Sequence, residues 1–397
     1  MTIGELIKRQ SHPDRLCSSE NKFSENEKIR VLVSGHLSPP MGGVAAFYES
    51  LLASSLPEKV NLRFVLTSSQ RRELSSSGTF SLFNLSSAVA DCIRFIKAHL
   101  AHRPHVSHIP TTFGLSFIKH SVCVVVAKLL GSRVILHPHC SLNILYTEKS
   151  ISWQRLFRLI IGLVDGIVAL SSEWYQLGTS FPDLPVYQIP NAIELSPYRE
   201  VAREQLARRK RGRPLKVFYL GYLGKAKGSF DLVDTAKLVL DKGLETGFDM
   251  VGDELTPGEG SALSEKINKA GLSDCVRLHS AVFDSRKFAF FRNADIFIYP
   301  SHHEGMPIAV IEAMASAMAI VATRVGGLPD LVMDGENGIL VEPGRPDQMA
   351  SAILGLAADE ELRYSMQQKS YQFAIEQFHM EQRVNQLVSA YRAIALR

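Results

Sequence analysis

Glu304 and Glu312 flank a Gly-x-Pro step in the run PSHHEGMPIAVIEAMASAMAIVATRVGG, Pro300 to Gly327. The apolar IFIY just before it reads as the end of a strand. Pro307 suits the first turn of the helix that follows, where its missing N–H is not needed. The N–H groups of Met306, Ile308 and Ala309 then face out past the strand end, with the positive end of the helix dipole behind them. The backbone from Gly305 to Ile308 becomes a seat for a phosphate or diphosphate. Glu312 lies inside an otherwise apolar helix and is costly to bury without donors. Vicinal ribose hydroxyls would supply two, and Glu304 would meet the same ligand from above the helix tip. The competing reading makes Ser301 and Glu304 a capping box and leaves Glu312 solvated, which would put Pro307 in a helix interior.

A second strand-to-helix turn, YLGYLGKAKGSFDLVDTAK from Tyr219 to Lys237, carries Gly221, Lys225, Lys227 and Gly228. Lys227 is placed to reach an anion held at the first site, although Gly and Lys also fill ordinary exposed turns. Neither GxGxxG nor GxxxxGK[ST] is present, so a dinucleotide fingerprint and a P-loop are both excluded. In PPMGGVAAF, Gly42 and Gly43 stand between a strand and a helix, either as a tight turn or to let a ligand approach the backbone. His137 and His139 end the strand VILHPHC, and alternation puts both on one side. With His302 and His303 they offer an alternative chemistry, a metal-dependent hydrolase. No DxD pair is present to hold a divalent ion on a diphosphate.

Short β-branched runs alternating with amphipathic stretches must position these groups, the pattern of βα repeats and parallel sheets. IRVLVS, LRFVL, VILH, IVAL and VYQI are the strands of a first series. Leu85, Val89, Cys92, Ile96 and Leu100 mark one apolar helix face within it. A charged stretch with Gly212 and Pro214, Arg203 to Lys216, precedes a second series of VFYL, FDMVG, VRL, IFIYP, IVA and ILV. Two doubly wound α/β domains follow, with ligands expected in the cleft at the carboxyl ends of their strands. The boundaries are a polar N-terminal segment 1–28, a first domain 29–195, a second domain 196–378 and a final helix 379–397 that crosses back onto the first.

A chain of 397 residues, 46% hydrophobic and 21% charged, fits two such domains. Mean hydropathy is +0.03, and no apolar run reaches the roughly 18 to 20 residues of a spanning helix. The first residues lack a leader-like apolar core, so cytoplasmic residence is expected. The five cysteines show no CxxC pairing and read as reduced thiols. Residues 1–190 carry a net charge of +6, 191–213 carry +4 and 214–397 carry −6. That asymmetry is either a surface without a partner or the mark of an anionic one. The basic linker lacks interleaved aromatics, and no nucleic-acid partner is expected.

The ordered set GGV, HPH, IPNAI, GYLGKAKG, VGD, EGMPIAVIEAMA and VGGLPDLVMDGENGILV resembles the GT4-type retaining glycosyltransferases of GT-B fold, over roughly residues 29–395. That resemblance implies two Rossmann-like doubly wound domains facing each other across a cleft. It implies that Glu312 bonds the ribose of a nucleotide-sugar, Glu304 sits beside the sugar hydroxyls, and Gly305, Met306, Pro307 and Ile308 meet sugar and diphosphate. Lys227 would neutralise the leaving diphosphate, with Gly221 and Tyr222 in the same turn and Gly42 and Gly43 approaching from the other domain. His139 would lie near the reacting carbon. One departure stands out. Tyr222 occupies the place where such enzymes carry arginine, and Lys225 or Arg324 are candidates to replace its charge.

The expected activity is a retaining, metal-independent transfer of a hexose or hexosamine from a UDP- or GDP-sugar to a hydroxyl acceptor, with no cofactor. The acceptor class is a glycan or lipid-linked intermediate of surface-polysaccharide synthesis, met on the inner face of an anionic membrane. A catalytically silent homologue that only binds is the alternative that Tyr222 keeps open.

Overall fold

The structure, a computed structural model, describes residues 28–38, 42–67, 82–208, 214–282 and 285–397. The polar N-terminal segment, except for Lys28, and residues 209–213 of the basic linker lie outside them.

The first half runs β1 (Arg30–Gly35), α1 (Gly43–Ala53), α2 (Leu56–Lys59), β2 (Asn61–Leu66), α3 (Leu82–His102), β3 (Val106–Thr111), α4 (Leu115–Leu129), β4 (Arg133–Pro138), α5 (Ile151–Ile161), β5 (Gly166–Ala169), α6 (Ser172–Thr179) and β6 (Val186–Gln188). The second runs α7 (Ser196–Ala207), β7 (Leu215–Leu220), α8 (Ser229–Asp241), β8 (Thr246–Val251), α9 (Glu259–Lys269), β9 (Val276–His279), α10 (Lys287–Asn293), β10 (Ile296–Tyr299), α11 (Ile308–Ala315), β11 (Ala319–Thr323), α12 (Leu328–Leu331), β12 (Gly338–Val341), α13 (Pro346–Ala358), α14 (Glu360–Gln377) and α15 (Met380–Ala395).

Each half holds one six-stranded parallel sheet, ordered β2-β1-β3-β4-β5-β6 and β12-β11-β10-β7-β8-β9. Parallel pairing needs helical crossovers, which cover both faces and demand buried strands. β3, β5, β10 and β11 are accordingly buried along their whole length. The second order is that of two mononucleotide-binding halves. The direction in which successive strands are added reverses between the parallel neighbours β7 and β10, paired through Val217 with Ile296 and Phe218 with Phe297. Loops leaving neighbouring strands at such a point splay apart and open a crevice.

Two differences from the sequence pattern matter. β3, Val-Ser-His-Ile-Pro-Thr, carries no recognisable apolar run, yet it is buried throughout because Ser107 bonds to Ser132 just before β4, and His108 bonds to His137 of β4 and Tyr391 of α15. In α3 the buried side is Asp91, Phe95 and His99, while Leu85, Val89 and Leu100 are exposed. Asp91 can lie inside because Lys119 and Arg94 pair with it. The apolar periodicity there marks an outer stripe instead of the core.

The last helix, α15, packs on α1, α2, β3 and β4 of the first half. Ser55 donates to Glu381, Lys59 Nζ lies 2.7 Å from Asn385 Oδ1, and Tyr391 meets His108 Nδ1 at 2.6 Å. Chain from the end of the second half thus completes the inner face of the first.

Candidate active site

The two loops at the reversal of the second sheet carry the chemistry. β7 leads through Gly221 and Tyr222 into a tight turn, Lys225–Lys227, and β10 leads into Pro300–Pro307 and then α11. They touch because Gly228 has a φ of +69° and a Cβ there would lie 2.0 Å from the Pro300 carbonyl oxygen. His302 N–H donates to the Ala226 carbonyl at 3.1 Å, which ties the loops together.

That contact brings Lys227 Nζ to 2.5 Å from Glu304 Oε1, and Tyr299 Oη donates to the same oxygen at 3.1 Å. Glu304 is only 9% exposed. Ser301 Oγ donates to the His303 carbonyl, so Ser301 and Glu304 form no capping box. Pro307 is the residue just before the helix, one position earlier than the first turn, and α11 starts at Ile308.

Glu312 finds its donors within the protein. Tyr198 Oη and Lys287 Nζ each meet Oε1 at 2.6 Å, and Lys287 also stands 5.4 Å from the centre of the Tyr198 ring. Burial of this carboxylate therefore does not wait for a ribose. In both Glu304 and Glu312 the bonds converge on Oε1, and Oε2 has no partner among the described residues. Each fixed carboxylate keeps one acceptor oxygen for a hydroxyl. Neither Tyr198, Lys287 nor Tyr299 stood out in the sequence. Each sits on a different element from the carboxylate it holds or ends the strand before it, so only the folded chain joins them.

The first half approaches from the opposite side. Gly42 caps α1 and faces the Tyr222 phenol, whose oxygen would lie 3.1 Å from a Cβ at Gly42. Gly43 opens α1 with nothing near its missing side chain. Burial pushes the Tyr222 phenol up to about 12, so it is a neutral donor in place of a charged one. The two residues expected to replace that charge are engaged elsewhere. Arg324 pairs with Asp334 at 2.8 Å and Glu342 at 3.6 Å, and Lys225 stands over the Phe230 ring.

Gly305 meets the His139 backbone, whose carbonyl oxygen would be 3.0 Å from a Cβ at Gly305. The Met306 carbonyl accepts from Asn191 Nδ2 at 2.7 Å. Asp330, on α12, accepts from Ser172 N–H and Oγ at 2.7 Å each and so caps α6 from across the interface. Burial raises Asp330 and its neighbour Glu173 above the ordinary carboxylate range.

His139 Nε2 lies 3.3 Å from Tyr48 Oη, and its ring centre is 4.0 Å from that of His137. His137 Nδ1 meets His108 Nε2 at 2.9 Å, which continues the bond from Tyr391. Burial holds His108 down to about 3 and both His137 and His139 well below 6.5, so all three are neutral at pH 7. His302 instead faces Asp231 at 2.7 Å. The four histidines are not brought together, and no group of three ligating side chains occurs among the described residues.

The arrangement therefore offers positive charge from Lys227 and the α11 N–H groups, two carboxylate oxygens for hydroxyls, and neutral imidazole from the facing half. This suits an anion with polyhydroxylated groups on either side.

Residues 201–373 match the family model described as Glycosyl transferases group 1. A D-inositol 3-phosphate glycosyltransferase of Corynebacterium urealyticum is 28% identical over 208 residues, 51% of this chain and 49% of that protein. An alpha-D-kanosaminyltransferase of Streptomyces kanamyceticus is 29% identical over 186 residues, 46% of this chain and 47% of that one. The chain spans about half the length of the curated relatives it matches. Likeness in fold reaches further. Sucrose-phosphate synthase from Thermosynechococcus elongatus superposes with a TM-score of 0.71 at 17% identity, covering 93% of this chain and 99% of that one. HepE of Anabaena, solved in complex with UDP, gives 0.69 at 18% identity, covering 92% and 100%. The fold is GT-B.

Proposed function

We propose, from the match of residues 201–373 to the model of the group 1 glycosyl transferases, that the whole chain is a retaining, metal-independent glycosyltransferase that moves a hexose or hexosamine from a UDP- or GDP-sugar to a hydroxyl acceptor. The observation that carries the reading is Lys227 joined to Glu304 at the sheet reversal, with Glu312 eight residues further on and one oxygen of each carboxylate left to a ligand. The UDP complex of HepE supports a nucleotide donor.

In this reading Glu312 Oε2 accepts from a ribose hydroxyl and Glu304 Oε2 from a sugar hydroxyl. Lys227 and the N–H groups at the start of α11 stabilise the charge that grows on the departing diphosphate, so no metal is needed for that task. The acceptor oxygen bonds to the anomeric carbon on the face from which diphosphate leaves. The carbon–oxygen bond to phosphate breaks, and the acceptor proton passes to the departing phosphate oxygen. His139, neutral and steadied by Tyr48, contacts the sugar without forming a bond to it. The acceptor is a glycan or lipid-linked intermediate met at the inner face of a membrane. Among the described residues no helix is long and apolar enough to cross one.

Titration calorimetry in EDTA with UDP-, GDP-, ADP- and dTDP-sugars tests the donor site. One donor should bind, and Glu312→Ala should weaken it at least about tenfold, the worth of a hydrogen bond to a charged group. Binding of no donor until zinc is added would overturn the reading in favour of metal chemistry. Tyr222 favours one second reading, a homologue that binds a nucleotide-sugar without transferring it. That protein would keep the donor affinity and release no nucleoside diphosphate with any acceptor.

A further inference from the structure

The three helices α3, α4 and α5 link β2 to β3, β3 to β4 and β4 to β5, and right-handed crossovers set them side by side on one face of the first sheet. α3 contacts α4, and the Phe117 ring joins α4 to Trp153 and Phe157 of α5 at 5.4 and 5.7 Å. The outer side of this layer is unusually apolar. Among the described residues sixteen large hydrophobic side chains are exposed, and fourteen of them lie between Leu85 and Leu163.

They form stripes. On α4, Ile118, Val122, Val125 and Leu129 follow helical spacing along one line, with Leu129 81% exposed. On α3, Leu85, Val89 and Ile93 make a second line, and on α5 Ile151 and Leu159 are 70% and 63% exposed. Charge on the layer has one sign. Its only carboxylate, Asp91, is buried against Lys119 and Arg94, whereas Lys97, Arg155 and Arg158 are exposed. Helices in such crossovers run antiparallel to their strands, so their N-terminal ends lie at the carboxyl edge of the sheet. There Phe113 is also exposed, beside the end of β3, and the apolar layer reaches the carboxyl edge of the first sheet.

We propose that the outer face of α3, α4 and α5 is a docking surface for an anionic lipid bilayer. A patch that combines apolar stripes with unopposed cations matches acyl chains beneath acidic headgroups. A protein partner would meet the apolar stripes equally well, but the absence of any exposed carboxylate on these three helices favours a surface that is uniformly negative. The proposal takes its meaning from the lipid-linked acceptor read above and deepens it, yet vesicle binding and donor binding can fail separately.

The test is co-sedimentation of the full chain with vesicles of phosphatidylcholine alone or mixed equally with phosphatidylglycerol. The wild type should bind only the mixed vesicles, less so in high salt. Val122→Glu combined with Leu129→Glu should cut the partition at least tenfold, and Lys97→Glu combined with Arg155→Glu should do likewise. These side chains are exposed, so thermal melting and donor binding should stay at wild-type values in both variants, which separates loss of docking from misfolding. No binding to mixed vesicles, or full binding by the Val122/Leu129 variant, would overturn the proposal. So would a dimer in light scattering that Leu129→Glu dissolves, together with no vesicle binding.

Discussion

Mild acid should destabilise this protein, and the buried imidazoles of the first half set the size of the effect. His108, His120, His137 and His139 are all held below the ordinary 6.5 by burial, His108 to about 3. In the unfolded chain they take up protons as pH falls through 6.5, while in the folded chain they stay neutral. Their stabilising share is thus complete above 6.5 and is lost as pH falls towards the folded values. For His108 alone, the unfolded ring at pH 5.5 is about ten parts protonated to one neutral, which favours unfolding by about 1.4 kcal/mol. The other three act in the same direction. Asp330 and Glu173 act oppositely, since a raised carboxylate favours the folded state in acid and loses that share as pH rises through its folded value. Glu194 and Glu381, which are lowered, matter only below the ordinary carboxylate range. Urea unfolding followed by the fluorescence of Trp153 and Trp174, both within the first half, should show stability falling by more than about 1.4 kcal/mol between pH 7.5 and 5.5. A smaller fall would refute the picture of a neutral histidine cluster supporting His139.

Three substitutions address the site directly. Lys227→Ala should lower turnover roughly 10²-fold or more in a transfer assay, and near-normal rates would remove Lys227 from the mechanism. Tyr222→Arg should raise turnover if the phenol merely weakens leaving-group stabilisation, whereas an unchanged zero rate would favour the binding-only homologue. Gly326→Ala should displace Glu304 and weaken donor binding in the same calorimeter, because φ there is +52° and the new Cβ would lie 1.8 Å from the Glu304 carbonyl oxygen. Wild-type affinity in that variant would mean that the loop yields at little cost.

The second half was the more legible in sequence. Its strands β7, β10, β11 and β12 announce themselves as apolar runs because the middle of a parallel sheet is covered on both faces, while β8 and the edge strand β9 alternate through Asp249 and Arg277. Its site loops carry fixed spacings because each sits at the end of one strand. Pro307, Gly305, Lys227 and Glu304 could thus be named, and the structure brings Lys227 and Glu304 together. The first half was harder to read. β3 hides behind Ser107, His108 and Pro110, whose polar atoms are satisfied only once β4 and α15 are in place. The apolar repeat of α3 pointed to a core that Phe95 and Asp91 occupy instead, since a buried ion pair can draw a polar side inward and leave an aliphatic stripe outside.

What the sequence by itself determined is therefore the α/β class, the two series of strands, and the placing of two carboxylates, Glu304 and Glu312, around one helix start. Those properties depend on residues near one another along the chain, where periodicity and turn chemistry operate. Tertiary structure alone decided which donors hold each carboxylate, that Arg324 and Lys225 are engaged elsewhere, and that His139 rests on a chain of neutral rings reaching Tyr391. Each of those pairings joins elements distant in sequence, and a hydrogen bond between such groups leaves no periodic trace for sequence patterns to reveal.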